Sequence, residues 1–191
     1  FLGVTSHPAY ATSPLLVLDV GGGSTEFIAG AGRELRRRCS FPLGSVRLLE
    51  RFPPADPPGP RQREELAEWL ADYLAREVRP AIAPFLEGPA RPLAVGIGGT
   101  TAILALMQAG EDRFDRQLVE AARFSPAGLD PLVRRLWALS LVQRRQLPGL
   151  PPERADVILT GSAIYAAVMR TFGLAELRVS TRGLRFALLL G

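Results

Sequence analysis

The sequence predicts an α/β layer fold on the evidence of three features. The segment Leu15 to Asp19 is an apolar run that ends in a carboxylate and precedes three glycines, as in a buried strand entering a tight loop. Two more strands are predicted at Glu26 to Ala29 and Glu34 to Phe41, with Gly30-Ala31-Gly32 as the hairpin turn between them. Predicted helices then alternate with strands, which indicates a sheet covered by helices.

The remaining elements follow from apolar spacing. Apolar residues recur at three and four positions over an amphipathic helix whose aromatic side chains, Trp69 and Tyr73, are interpreted as core, and Pro80 and Pro84 are expected to end or kink it. The other predicted elements are a strand at Leu93 to Ile97, a helix to about Gln108, a helix carrying Leu129 to Leu139, a helix from about Arg154 to Thr171, a strand at Leu177 to Ser180 and a closing helix at Leu184 to Leu190.

The composition excludes several kinds of chemistry. All 23 basic residues among the 191 are Arg, so no Walker A lysine or Schiff-base lysine is present. A single His (His7) and a single Cys (Cys39) cannot build a zinc site or a His-dependent triad. Carboxylates, hydroxyls, Arg and backbone amides remain, together with a hard cation. These groups suit phosphate chemistry, and the net charge of +4 favours acidic ligands.

The same inventory gives expectations about location and size. The 47% of apolar residues suffice for one domain, and no apolar run is long enough to span a membrane. The start at Phe1 has no signal-peptide pattern, and we expect the chain to be part of a longer cytoplasmic product. The lone Cys39 fits a reducing compartment. Two Arg groups, Arg33 to Arg38 and Arg144-Arg145, are expected on solvated faces, with a polyanion track as the alternative.

The strongest chemical signal is the string Asp19-Val20-Gly21-Gly22-Gly23-Ser24-Thr25-Glu26 between two strands. Glycines let the backbone approach an anion and direct N–H groups at it, while Ser24 and Thr25 add hydroxyls. Asp19 is placed to hold Mg²⁺ directly or through water, and Glu26 to order a water or extend the metal site. The alternative is a glycine-rich hairpin with ordinary flanking acids.

A second signal is Gly96-Ile97-Gly98-Gly99-Thr100-Thr101, which follows a strand and opens a helix. A helix N-terminus flanked by glycines is suited to binding an anion. The string is not a dinucleotide fingerprint, because Thr101 stands where the third glycine belongs. A simple strand-to-helix turn is the alternative, and two such loops in one chain strengthen the phosphate interpretation.

These motifs together resemble the exopolyphosphatase/guanosine pentaphosphate phosphatase family of the actin-like ATPase superfamily. The resemblance runs in order along nearly the whole chain. It rests on Leu2-Gly3-Val4, Asp19 to Glu26, Pro42 to Leu48, Gly96 to Thr100, Arg154 to Gly161 and Ser180 to Arg185.

The resemblance implies an actin-like (ribonuclease H-like) lobe, with a mixed sheet flanked by helices and a cleft shared with a preceding lobe. Residues 1–191 would be the single second lobe, and the missing N-terminal lobe of the same polypeptide would carry a further phosphate loop and the water-activating Glu. Asp19 and Glu26 would be catalytic, with Asp19 on Mg²⁺. The phosphate-binding residues would be Gly21, Gly22, Gly23, Ser24, Thr25, Gly98, Gly99 and Thr100.

The function so implied is Mg²⁺-dependent hydrolysis of terminal phosphoanhydride bonds in polyphosphate or guanosine pentaphosphate by the full-length protein. A homodimer of that protein is compatible with this interpretation, and neither membrane nor nucleic acid is expected as a partner. Two alternatives are an ATPase or kinase of the same superfamily and a non-catalytic polyphosphate or alarmone sensor.

The sequence departs from the family pattern at two points. Thr181 stands where an acidic residue is common, and Phe186-Ala187 stand where an acidic residue and Gly usually follow. No role is therefore carried onto Thr181 or Phe186. Arg154 and Asp156 are expected to cap and anchor a helix, and the roles of Arg47 and Arg185 are left open.

Overall fold

A computed structural model describes residues 1–87 and 90–183. Its strands are β1 (Pro14–Val20), β2 (Thr25–Ala31), β3 (Glu34–Phe41), β4 (Leu93–Ile97), β5 (Arg123–Phe124) and β6 (Leu177–Val179). Its α-helices are α1 (Leu2–Thr5), α2 (Ser45–Arg51), α3 (Pro60–Tyr73), α4 (Arg79–Leu86), α5 (Gly99–Ala109), α6 (Arg116–Ala121), α7 (Pro126–Ala138), α8 (Leu141–Arg144) and α9 (Ile158–Thr171).

The described strands form one mixed sheet in the order β3-β2-β1-β4-β6-β5. Strand β1 pairs antiparallel with β2 and parallel with β4, and β6 continues the parallel part. The carboxyl ends of β1 and β4 therefore meet at one edge of the sheet, where the two glycine-rich loops emerge. This arrangement confirms the predicted α/β class with a mixed sheet flanked by helices.

Two apolar layers cover the sheet. The larger one packs the face carrying Leu16, Leu18 and Phe27 against the helices, and the smaller one packs Leu15 and Val17 against α1 and the turn that follows it. Helix α9 is the central helix of the larger layer, and every residue from Ile158 to Met169 is buried. A helix apolar all round is typical of such a buried position. No helix of the described residues is long and apolar enough to cross a membrane.

The predicted strand positions are largely confirmed, with shifts at element ends. The β2–β3 turn lies at Gly32-Arg33 rather than at Gly30 to Gly32, and a register shift between Ala29 and Gly30 lets β2 run to Ala31. Helix α9 starts at Ile158 rather than Arg154, because the preceding residues form a 3₁₀ turn (Pro152–Arg154) followed by turns. The predicted closing helix lies outside the described residues.

Prolines do not end the long helical region after β3. Helix α3 passes through a π-helical turn (Leu74–Val78) into α4, and Pro80 lies in the first turn of α4. A π turn accommodates a residue without a backbone N–H, because the local hydrogen bonds are already displaced. Pro84 lies inside α4.

The prediction that both members of the Arg144-Arg145 pair are solvated is wrong for Arg144, which is only 3% exposed. Its Nε donates to the carbonyl of Ala155 at 2.8 Å, and a terminal nitrogen donates to the carbonyl of Leu139 at 2.5 Å. Burial lowers the pKa of Arg144, and Asp56 and Asp156 counteract that effect. The guanidinium thus satisfies carbonyls at the end of α7 and tethers the segment before α9.

Candidate functional site: two glycine loops around a carboxylate

The first glycine-rich loop connects β1 to β2 in a tight hairpin. The antiparallel register pairs Asp19 with Glu26 and Val20 with Thr25, which places the two carboxylates side by side on one face of the sheet. The loop closes with a hydrogen bond from the Gly21 N–H to the Ser24 carbonyl at 2.9 Å. The proximity of Asp19 and Glu26 therefore follows directly from strand pairing.

The N-terminus of α2 holds this loop from outside. The N–H groups of Ser45 and Val46 donate to the carbonyls of Gly21 and Gly22, each at 2.9 Å. A Cβ on Gly44 would lie 2.2 Å from the Gly22 carbonyl oxygen, so only glycine allows this approach. Within the described chain, the N–H groups of Gly22, Gly23 and Ser24 donate to no acceptor. The loop carbonyls are thus satisfied while several amide donors are left for a ligand.

The hydroxyls beside this loop form hydrogen bonds within the protein. The Thr25 side chain is fully buried, and its hydroxyl donates to the carbonyl of Leu43. The Ser24 hydroxyl donates to Glu26 at 2.7 Å. Both protons are engaged within the protein in this conformation. Thr25 therefore braces the loop and is not part of the pocket wall, and the loop donors without an acceptor among the described residues are backbone amides.

The second loop lies directly beside Asp19. Parallel pairing aligns Asp19 with Ile97, and Gly98 follows with a φ of +87°. A Cβ on Gly98 would lie 2.5 Å from Oδ1 of Asp19. The Thr100 hydroxyl donates to the carbonyl of Val20 at 3.0 Å and so joins the two loops. Gly99, at the start of α5, is exposed, and open space surrounds the position of its missing Cβ.

Helix α9 packs against the segments that carry both loops and holds them in place. The Thr160 hydroxyl donates to the carbonyl of Ser45 at 2.6 Å, and a Cβ on Gly161 would lie 2.9 Å from a methyl carbon of Thr100. The fully buried Tyr165 hydroxyl lies 3.4 Å from the carbonyl oxygens of both Leu18 and Ile97. The loops therefore rest on a rigid, buried helix.

The electrostatics single out Asp19. Burial raises the pKa of its carboxyl above the ordinary value, and the neighbouring Glu26 raises it further. Burial also raises the pKa of the Tyr165 phenol beneath it, and the charge of Asp19 adds to that effect. Two adjacent carboxylates, one of them partly desolvated, form a place where a cation would relieve repulsion.

The residues present fit a magnesium ion. Mg²⁺ is commonly held by one or two carboxylates together with waters and substrate phosphates. Asp19 and Glu26 supply the carboxylates, and the loop amides border the space where phosphates would lie. The described residues contain no cluster of three or more His, Cys, Asp and Glu side chains, so they offer no complete protein cage for a metal.

A pocket of about 200 Å³ opens between the loops. Of the predicted residues, its wall contains Asp19, Gly21, Gly22, Gly99 and Thr100. Gly23, Ser24, Thr25, Glu26 and Gly98 are not in the wall. Six residues without a predicted site role complete it, and they are Val20, Ser45, Ile103, Arg154, Val157 and Ile158.

The Arg residues near the site were not predicted as site residues from the sequence. Arg154 was expected to anchor a helix, yet it is the cationic member of the pocket wall. Arg47 lies outside the wall, where its Nε donates to the carbonyl of Gly23 at 3.1 Å. The signal that could have identified Arg154 is its position four residues before α9, whose start faces both loops. A larger pocket of about 370 Å³ lies at the opposite end of β4, away from the paired carboxylates.

The structure is an actin-like α/β fold in which two glycine-rich loops meet beside a carboxylate. The chain belongs to the Ppx/GppA phosphatase family, whose model matches residues 1–191. It is 30% identical over 190 residues to exopolyphosphatase 1 of Mycobacterium tuberculosis. The match covers 100% of this chain and 54% of that protein. It is also 30% identical over 187 residues to exopolyphosphatase 2 of the same species, covering 94% of this chain and 56% of that one.

Solved structures agree with this placement. The Ppx/GppA phosphatase of Aquifex aeolicus superposes with a TM-score of 0.86 at 28% identity, covering 99% of this chain and 60% of that one. An exopolyphosphatase from Cytophaga hutchinsonii superposes with a TM-score of 0.79 at 26% identity, covering 99% and 61%. The chain therefore spans little more than half the length of these relatives.

Proposed function

We propose that the full-length protein containing this chain hydrolyses terminal phosphoanhydride bonds of inorganic polyphosphate with the help of Mg²⁺. The observation that carries the proposal is the meeting of two glycine-rich loops at Asp19, through the pairing with Glu26 on one side and the approach of Gly98 on the other. The resemblance to proteins named exopolyphosphatases supports this choice of substrate.

The proposed roles follow from the geometry. The amides of Gly22, Gly23 and Ser24 would bind phosphate oxygens, because they have no acceptor among the described residues. The start of α5 at Gly99 would offer further donors. Arg154 would add a positive charge at the pocket wall. Together these groups would position the terminal phosphoryl over Asp19.

Asp19 and Glu26 would hold the metal side of the site. When bound, Mg²⁺ would neutralise charge on the transferring phosphoryl group. Glu26 would order a water or extend the metal site, as its pairing with Asp19 allows. We assign the water-activating carboxylate to the other lobe, since Asp19 and Glu26 would be occupied in holding the metal. The remaining part of the polypeptide would thus complete the cleft.

This division of roles predicts that the isolated chain is nearly inactive. Phosphate release from polyphosphate with Mg²⁺ should be measured for residues 1–191 and for the full-length protein, with guanosine pentaphosphate as a parallel substrate. We expect turnover by the full-length protein and almost none by the chain alone. Comparable rates would show that the site is complete in this chain. Tight polyphosphate binding by the full-length protein without turnover would favour a sensor.

The strand pairing also indicates which Arg side chain could contact the distant part of a long polyphosphate substrate. Opposite residues of an antiparallel pair share a face, so Arg38, opposite Ile28, lies on the face of Asp19 and Glu26. Arg36 instead lies at the register shift between β2 and β3 and lines a groove with Pro84 and Phe85 of α4. The two Arg side chains therefore have different surroundings.

We expect Arg38→Gln in the full-length protein to impair turnover of long polyphosphate and to spare short chains. The matched Arg36→Gln variant should leave both unchanged. The long-chain activity should also fall more steeply with salt than the short-chain activity, because salt screens exposed charges. If the two variants had equal effects, or if long and short polyphosphate chains lost activity equally, the Arg residues would form a solvated face without a role in binding.

A further inference from the structure

The carboxylate of Glu26 is held by two hydroxyls, and one of them comes from outside the glycine motif. Ser24 donates to Oε1 of Glu26 at 2.7 Å, and Ser40 donates to the same oxygen at 2.8 Å. Hydrogen bonds to an ionised acceptor at these lengths are among the stronger ones in proteins. Glu26 is therefore fixed through one oxygen, and its other oxygen accepts no hydrogen bond from the described residues.

Strand pairing makes the contact with Ser40 a built-in feature of the sheet. Ser40 lies on β3 directly opposite Glu26, which in turn lies opposite Asp19 on β1. Directly opposite residues have Cβ atoms about 4.5–5.5 Å apart and project from the same face. The three side chains thus form a row across three strands, with Glu26 in the middle.

We infer that Ser40 is a positioning residue for the proposed phosphatase reaction, acting through Glu26; this inference rests on the proposed function. Without its hydroxyl, Glu26 would keep one local donor, Ser24, from the loop itself. The carboxylate could then rotate away from the row with Asp19. Ser40 touches neither the pocket nor the loop amides, so its loss should affect the reaction step more than substrate binding.

The test uses Ser40→Ala, Ser40→Thr and wild type in the full-length protein, with phosphate release from polyphosphate as the measurement. We expect Ser40→Ala to lower kcat about 10-fold or more, as loss of an outer partner of a metal-site carboxylate typically does. KM should change less than about twofold, because the phosphate donors are intact. Ser40→Thr should restore most of the rate, since it keeps the hydroxyl.

Two further variants separate positioning from a structural effect. Cys39→Ala alters the same strand on the opposite face, where Cys39 pairs with Phe27, and should leave kcat unchanged. In a Glu26→Gln background, adding Ser40→Ala should cause no further loss, because its effect passes through Glu26. Thermal unfolding of all variants should show that they remain folded at the assay temperature.

The outcomes of these experiments distinguish failure of the proposed function from failure of the role proposed for Ser40. No turnover by the wild-type full-length protein would overturn the proposed function and this inference with it. An active wild type with Ser40→Ala at normal kcat would overturn the inference alone. The same holds if Ser40→Ala and Glu26→Gln have additive effects, or if Ser40→Thr fails to recover the rate while remaining folded.

Discussion

Replacing Asp19 by Asn in the full-length protein is expected to lower turnover of polyphosphate by about 10² or more, as loss of a principal charge-stabilising group does. Asn has nearly the same shape, so the approach of Gly98 to Oδ1 should be kept while the charge is lost. The Mg²⁺ concentration for half-maximal rate should also rise, because the partly buried carboxylate that favours a cation is gone.

The matched control for this variant is Asp72→Asn. Asp72 forms an exposed ion pair with Arg76 on the surface of α3, and such pairs contribute little to stability. Activity and metal dependence should therefore be those of the wild type. If Asp19→Asn also retained the normal rate and the normal metal requirement, Asp19 would be a structural residue at the end of β1.

A valine at Gly99 should disable the second loop without unfolding the protein. Nothing lies within 4 Å of the Cβ position of Gly99, so the side chain fits but projects where a phosphate would approach the start of α5. We expect KM for polyphosphate to rise about 10-fold or more. The unfolding temperature should stay near that of the wild type.

The neighbouring Gly98→Val variant should behave differently. Gly98 has φ +87° and ψ −176°, a region essentially restricted to glycine, where another residue costs about 1–3 kcal/mol. Its Cβ would also collide with Asp19. We therefore expect a lower unfolding temperature as well as lost activity. If Gly99→Val unfolded like Gly98→Val and showed no separate binding defect, the turn would be a packing element only.

The sequence predicts the centre of this fold because its signals are local. The apolar run before Asp19 and the triple glycine after it specify strand and turn within a few residues, and the structure has both there. The same holds for β4 and the turn at Gly98. The resemblance adds the family, which the match over residues 1–191 confirms.

The parts that could not be predicted depend on contacts between distant residues. The start of α2 donates hydrogen bonds to the carbonyls of Gly21 and Gly22, which lie more than 20 residues earlier. No local sequence pattern predicts these contacts. In the sequence, the hydroxyl of Thr25 looks available to bind a ligand. In the structure, it donates a hydrogen bond to the carbonyl of Leu43. Likewise, Arg144 resembles a surface residue until α7 and the segment before α9 surround it with carbonyls.

The arginines of β3 have an effect that does not depend on any ligand, because this strand lies at the edge of the described sheet. This strand is the outermost of the described strands, and most of its residues are exposed. The open edge of such a strand is a template on which another chain can add a strand and start aggregation. Arg36, Arg37 and Arg38 place a positive charge at three successive positions of that strand. A second copy of the strand would bring the same charges into contact, so like-charge repulsion disfavours the pairing of this edge with itself.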